Sequence, residues 1–432
     1  MNTWHDLVAA SLIGTERSVV PAVAIPGLPP ADDDDPGDPA AVLLDRAALL
    51  TAARRAGRRP DRAEPLPVCA PDPRPTVSPA AARRLRRLIS GEHPDLLTEW
   101  LAAVVARGLR LPPQLLPALL DRARRGRPAD PELPRLLAEA GGPRARWLAA
   151  LSPDWEHAVE EASTDDETWR LGDTRQRRGY LASLLTSDPD AGRALITGGW
   201  DAAGAADRVM FLSVLAETLG PPDEPLLEAA LDDRAEDVRR WAAYLLARLP
   251  GSALGQRMAE RALRYVQVEL AAQGPRLSIV TPRRPDAELR RDGIAADPEP
   301  IRAPFGSRTH VLLEVLARTP LSTWTGGFDL TPAEVMALPS GAWAPVMFAG
   351  WSRAAIAQGN RDWISALLGR ALLGPPGPAA EIEALRQLAR RADPARCARE
   401  TTARRGAEIP PAIRDAIRVL RFRYDMLKEL EL

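Results

Sequence analysis

Residues 223–249 read DEPLLEAALDDRAEDVRRWAAYLLARL, and their spacing decides the fold. Leu226, Leu227, Ala230 and Leu231 make a short apolar face. After the turn-like Asp232-Asp233-Arg234, the residues Val238, Ala242, Leu245 and Leu249 make a second face at offsets of four, three and four. The spacing predicts a helix, a tight turn and an antiparallel helix. Neither helix can bury its stripe alone, so the pair must stack on similar pairs before and after it.

A second unit supports this. Residues 207–219 match residues 237–249 at an offset of thirty: Phe211 with Trp241, Leu212 with Ala242, Leu215 with Leu245, Leu219 with Leu249. We therefore expect an all-α chain, a HEAT-like α-solenoid of stacked antiparallel helix pairs with Pro-rich disordered insertions.

Composition narrows the classes of function. The 57 Lys and Arg residues nearly balance the 58 Asp and Glu residues, so the net charge of −1 provides no global field toward nucleic acid or an anionic membrane. Alanine, leucine and arginine dominate and favour helix, which assigns the 43 prolines to helix starts and linkers. The one lysine, Lys428, follows no glycine loop, which argues against a P-loop NTPase, a kinase or a Schiff-base enzyme. Cys69 and Cys397 stand far apart and outside any metal-spaced pair, the pattern of a reducing compartment. The opening MNTWHDLVAASLIG lacks the basic start and the apolar run of a signal peptide. No stretch reaches the roughly 18 apolar residues of a membrane span. We expect a cytoplasmic protein.

Five segments follow along the chain. Residues 1–20 hold a helix on Trp4, Leu7, Val8 and Leu12, closed by Gly14 at a C′ position. Residues 21–79 read as a Pro- and Asp-rich linker with one helix at 42–55; the four Asp residues at 32–35 read as a solvated spacer. Residues 80–271 carry the regular helix pairs. There we expect Arg83, Arg84, Arg86 and Arg87 to spread over the side away from Leu85, Leu88 and Ile89, Gly141-Gly142 to stop a short helix, and 253–271 to be one long helix. Residues 272–308 read as an irregular loop, in which 276–281 has strand character but no evident partner. Residues 309–432 return to helix. Thr331-Pro332-Ala333-Glu334 has the form of an N-cap, and Ile413, Ile417, Leu420, Tyr424 and Leu427 mark a terminal amphipathic helix expected to cap the stack.

Three motifs carry a family resemblance: Trp4-x-x-Leu7-Val8 leading through Leu12 to Gly14-Thr15-Glu16-Arg17, the stretch from Arg146-Trp147 to Asp154-Trp155, and the series Trp343, Trp351, Trp363. With these the chain resembles a bacterial, mainly actinobacterial, domain family of unknown function. The resemblance implies no activity. It does imply protein partners, because members are often encoded beside MoxR-type AAA+ ATPases, von Willebrand factor A (VWA) proteins and SWIM zinc-finger proteins.

No Gly-x-Ser-x-Gly elbow, His-Glu-x-x-His, Cys-x-x-Cys or EF-hand loop occurs, so we expect no catalytic, cofactor-binding or metal-ligating residues. His5, His93, His157 and His310 are isolated and are expected at the surface or at helix ends, and the acid pairs Asp165-Asp166 and Asp232-Asp233 read as turns. Around Ser152-Pro153-Asp154, Ser152 or Asp154 is expected to cap a helix while Trp147 and Trp155 pack; a ligand platform is the alternative. Arg414, Arg418 and Arg421 repeat at four and three beside an apolar stripe. Such a row binds acidic protein or phosphates through forked hydrogen bonds, or is a solvated face. The preferred reading is a non-enzymatic interaction scaffold or adaptor without a cofactor. Nucleic-acid binding comes second, and an enzyme with a site dispersed over Glu16, Arg17, Trp147 and Asp154 third.

Overall fold

The computed structural model describes residues 3–24, 37–57, 66–126, 132–152, 154–155, 166–280, 284–294, 307–373, 379–395 and 410–431. The acidic run at 32–35, Pro153, His157, Asp165 and Cys397 lie outside the described residues. The chain divides into two units, residues 1–68 and 69–432.

In the first unit, helices α1 (Thr3–Ile13) and α2 (Pro39–Gly57) close on a small core of Leu7, Ala10 and Leu43. Arg46 donates to the carbonyl of Val20 at 2.7 Å, and Arg54 stacks over Trp4 at 5.3 Å. The first contact holds the chain after α1 against α2, and the second ties α2 to α1.

The second unit begins with α3 (Pro79–Ile89), α4 (Leu97–Ala106), α5 (Leu116–Gly126) and α6 (Leu133–Ala150). Then come α7 (Asp166–Leu171), α8 (Thr174–Ser187), α9 (Pro189–Gly199), α10 (Ala205–Leu215), α11 (Glu224–Ala230), α12 (Glu236–Ala247) and α13 (Ala253–Tyr265). After a ribbon of β1 (Val266–Ala271) and β2 (Gly274–Ile279) follow α14 (Ala287–Arg291), α15 (Ser307–Arg318), α16 (Ser322–Phe328), α17 (Pro332–Ala337), α18 (Ala344–Gln358), α19 (Arg361–Leu373), α20 (Ala379–Arg391) and α21 (Pro411–Lys428). The fold is all-α, a helical-repeat, solenoid-like stack with one small sheet. The expected pair at 223–249 is α11 and α12, and its sister helix α10 packs directly on α12. Phe211, Leu212 and Leu215 are buried, as are their counterparts Ala242 and Leu245.

Three local expectations change, and the stop at Gly141-Gly142 holds. The linker ends earlier than residue 79: Thr76 bridges Arg110, Val77 is buried, and Arg74 ties Asp72 to the carbonyl of Glu139 at 2.8 Å, so residues 69–78 belong to the second unit. Gly142 stops the short helix begun at Leu133, as expected. With φ +58 and ψ −149 it leaves helical geometry, and a second helical stretch starts at Pro143, so α6 is two helices joined at a kink. The long helix expected over 253–271 stops at Tyr265, because Val266 to Leu270 alternate apolar and polar residues and pair with the strand that lacked a partner. Arg84 is buried rather than outward, stacked on Phe422 at 4.6 Å and bonded to Glu429 at 2.6 Å. The Thr331 cap forms as expected, with a reciprocal bond between Thr331 and Glu334.

The terminal helix brings the largest correction. Helices α8, α10, α12, α15, α18, α20 and α21 pack in a row, each on the next, and the row continues from α21 to α4 and on to α6. α21 therefore does not cap an end. Its Ile413, Ala416, Ile417 and Leu420 belong to the main core, while its Phe422 and Met426, with Leu430 just past its end, belong to the core of α3–α6. Chain order and spatial order part here: the first helices of the unit stand beside its last.

The charges of Glu132 and Arg135, at the start of α6, act on Glu217 just past α10. Glu217 is 31% exposed and bonded to Arg178 at 3.2 Å, yet surrounding protein pushes its carboxyl above the ordinary glutamate value of 4.5. A carboxyl raised on folding holds its proton more tightly in the folded state, so stability falls as pH rises from that value through the raised one. Glu217→Gln is expected to raise the melting temperature at about pH 8 by the equivalent of less than ~1 kcal/mol and to change nothing near pH 4. Thermal melts at the two pH values check this; equal shifts at both would refute the assignment.

Candidate interaction surface

Arginine makes many of the polar ties between successive helix pairs. Arg177 reaches Asp207 at 3.5 Å, Arg193 reaches Asp223 at 3.0 Å, Arg257 reaches Glu228 at 3.2 Å and Arg353 reaches Glu314 at 2.9 Å. A planar guanidinium suits this work because it bonds two acceptors at once and keeps its charge when buried. The ties concentrate at Asp292, whose side chain is 2% exposed and accepts from Arg257 at 2.8 Å and Arg261 at 2.6 Å. Arg291 meanwhile reaches Asp232 at 2.6 Å and holds that carboxyl below its usual range. Residues 284–294 are thus an ordered strut on α11 and α13, although the sequence suggested irregular loop. Asp232 and Asp233 do more than turn the chain, since Asp233 also pairs with Arg208 at 3.0 Å.

Glu314, on α15, keeps 16% of its side chain exposed between Arg318 and Arg353. Burial pushes its carboxyl up, but Arg318 and Arg353, with His310, outweigh that and hold it below the ordinary value. Neither it nor Asp232 is tuned toward neutral pH, where a general acid or base works best. His310 is a correction: it is 4% exposed, one turn before Glu314 inside α15, and not at the surface. His93 takes a left-handed backbone conformation, φ +50, and meets Phe422 edge-on at 4.9 Å.

The tryptophans divide between packing and anchoring. Trp324, Trp351 and Trp363 form a buried chain with ring centroids 6.1 and 5.6 Å apart, which assigns the Trp351 and Trp363 motif to the core. Trp155 packs against the α3–α6 core, and its indole N–H donates to Asp121 at 2.9 Å. The neighbouring turn is closed by the amide of Trp155 on the carbonyl of Ser152; the residues that a cap by Ser152 or Asp154 would serve lie outside the described residues. Asp154 is exposed at 3.7 Å from Arg124; Arg146 is exposed and Trp147 half-buried on α6.

Gly14, Thr15, Glu16 and Arg17 belong to the first unit. Gly14 takes φ +94 to end α1, and its carbonyl accepts from the amides of Arg17 and Ser18, so the motif builds a tight turn with Glu16 and Arg17 exposed. Arg146, Trp147, Asp154 and Trp155 belong to the second unit.

The outer side of α21 is turned to solvent as a row. Arg414, Arg418 and Arg421 are all exposed; Arg418 bonds Asp415 at 3.1 Å within the same helix, and Lys428 lies 5.9 Å from the Tyr424 ring one turn on. Arg423, two residues after Arg421, points the other way. It is 6% exposed and forks onto Glu99 at 2.7 and 2.9 Å while donating to the carbonyls of Ala389 and Ala392 at 2.9 and 2.6 Å. Sequence reasoning missed it, although its phase gave a signal: it stands three residues after Leu420 and four before Leu427, on the apolar stripe. Arg84 has the same relation to Ala81 and Leu88 in α3.

Among the described residues no three His, Cys, Asp or Glu side chains gather as a metal site, and no helix is long and apolar enough to cross a membrane. Fold and surface together define a helical-repeat protein in which α21, like α3, turns a basic face to solvent. The chain belongs to a family of unknown function (DUF5691), whose model matches residues 6–407. That span includes the Gly-Thr-Glu-Arg turn and the tryptophan motifs and stops before α21. No curated protein and no solved structure matches the chain.

Proposed function

We propose that this protein is a non-enzymatic, HEAT-like scaffold of the cytoplasm that binds an acidic protein surface through the outer face of α21. The observation that carries the proposal is the division of arginines on that helix. Arg423 and the stacking residue Phe422 fasten it to both cores, while Arg414, Arg418 and Arg421 lie along its exposed side at helical spacing. A fastened helix presents such a row without losing much freedom on binding, which favours forked bonds to carboxylates. The family resemblance nominates MoxR-type ATPases, VWA proteins and SWIM zinc-finger proteins as partners.

The test is co-purification from the native host with the wild-type chain and with the triple variant Arg414→Glu, Arg418→Glu, Arg421→Glu. The wild type is expected to retain one of the nominated proteins and the variant to lose it, with at least a tenfold drop in affinity for the isolated pair. Retention by both, or by neither, removes the proposal. The second reading, nucleic-acid binding, predicts a mobility shift of duplex DNA at low salt that fades as salt rises.

A further inference from the structure

The basic row on α21 has a neighbour on α3, because the two helices lie side by side and antiparallel. Ser78, the N-cap of α3, donates its hydroxyl to the carbonyl of Glu429 at the end of α21 at 2.7 Å. His93, beyond the other end of α3, meets Phe422, earlier in α21, at 4.9 Å. Between these points Arg84 lies over the Phe422 ring at 4.6 Å and Arg87 over the same ring at 5.1 Å, while Arg84 bonds Glu429 at 2.6 Å. Two guanidinium contacts on one ring, with an ion pair a turn or two away, fix the spacing of the helices and the rotation of each.

That rotation brings two arginine rows to one side. Each residue turns a helix by about 100°, so Arg83, immediately before Arg84, and Arg421, immediately before Phe422, stand about a quarter-turn from the seam in the same sense along the chain. In an antiparallel pair the same sense leads both to the same side. Both are exposed, and among the described residues neither has a carboxylate partner. The seam is thus flanked by Arg83 and Arg87 on one bank and by Arg414, Arg418 and Arg421 on the other, all exposed, with the buried Arg84 and Phe422 between them.

Carboxylates interrupt both banks. Glu92 pairs with Arg87 at 2.5 Å, Asp415 with Arg418 at 3.1 Å, and Asp425, 55% exposed, lies 3.5 Å from Arg84. A nucleic-acid backbone carries charge at every step and would meet these acids, whereas a protein can set its carboxylates opposite the cations that have no partner, Arg83 and Arg421. Spacing selects the kind of protein surface. Arg414, Arg418 and Arg421 recur at four and three residues, a rise of about 6 and then about 4.5 Å along the axis. Glutamates at the same offsets on a second helix keep pace with them. An extended strand, with about 6.6 Å between side chains on one face, runs ahead of them.

We propose, building on the scaffold reading above, that the partner's acidic surface is an α-helix, which lies along the α3–α21 seam between Arg83 and Arg421. The full chain is titrated at low salt into a fluorescently labelled, alanine-based peptide with glutamates at offsets of four and three along one face, and into the same peptide broken by a central proline. Anisotropy should show saturable binding of the first, weakened by added salt, and at least tenfold weaker binding of the second. Arg83→Glu should cost about tenfold in affinity for the unbroken peptide with an unchanged melting temperature, since Arg83 is exposed and has no ion pair to lose. If Arg83→Glu binds like the wild type while the Arg414, Arg418, Arg421 triple variant does not bind, the footprint is α21 alone: the seam is overturned and the scaffold reading survives. Equal binding of the two peptides overturns the helix. A wild-type chain that binds neither peptide overturns the seam as a site for an acidic helix, and the scaffold reading is then decided by the co-purification. Duplex DNA bound more tightly than either peptide overturns the seam's protein partner in favour of nucleic acid.

Discussion

Arg423→Ala is expected to destabilise the protein by about 3–5 kcal/mol and to loosen α21 from both of the cores it joins. The guanidinium carries a fork onto Glu99 of α4 and single bonds to the carbonyls of Ala389 and Ala392 at the end of α20. Removing it leaves a carboxylate with 31% side-chain exposure without its cation and strands two carbonyls that have little access to water. Arg423→Lys should rescue only a small part, because one ammonium group cannot span a carboxylate and two carbonyls in different directions. Arg418→Ala is the control on the same helix. Its partner Asp415 is exposed with it, and the loss should stay below about 0.5 kcal/mol. Thermal melts give the ranking, and amide hydrogen exchange should show α21 and α4 losing protection together. If Arg423→Ala and Arg418→Ala melt alike, α21 does not hold the two cores together through this residue.

Gly350→Val should cost about 3 kcal/mol, by forcing apart the two helices at the centre of the main core. α15 and α18 approach most closely where Gly350 faces Leu316. A Cβ built on Gly350 would lie 2.5 Å from the Leu316 Cβ and 2.9 Å from its Cδ1. Both helices are buried along nearly their whole length, so neither can shift toward solvent to make room. The gain in helix propensity on replacing glycine, about 1 kcal/mol, is too small to offset the overlap. Leu316→Gly provides the cross-check, because alanine would keep the Cβ that clashes. It opens a cavity and costs about 3–6 kcal/mol alone, yet in combination with Gly350→Val the two losses should fall well short of adding, because each repairs the volume error of the other. Strict additivity in denaturant unfolding would show that the two residues do not meet.

Helix existence was legible wherever an apolar stripe ran at offsets of three and four, as in α10, α11, α12 and α21. The turn at Gly14 and the cap at Thr331 were legible too, because each follows from backbone chemistry over a few residues. Legibility failed where two local readings compete. Residues 266–271 continue a helix by composition but alternate like a strand, and the competition is settled by β2 and by the backbone of Pro339 more than sixty residues away in the chain. Arginine was the other blind spot. Arg84 and Arg423 carry the same side chain as the exposed Arg83 and Arg421, and only their phase on the helix hinted that they turn inward.

The sequence by itself determined an all-α chain of paired helices, because the period of an apolar stripe is a property of neighbours three and four residues apart. It also carried the family motifs. The tertiary structure alone decided that the last helix of the second unit joins its first ones, and which arginines hold helix to helix and which face solvent. Those outcomes depend on which surfaces meet, and pairing between segments hundreds of residues apart leaves no periodic mark on the chain. A guanidinium bonds a distant carboxylate or meets water with equal ease, so its role is fixed only when the fold places an acceptor beside it.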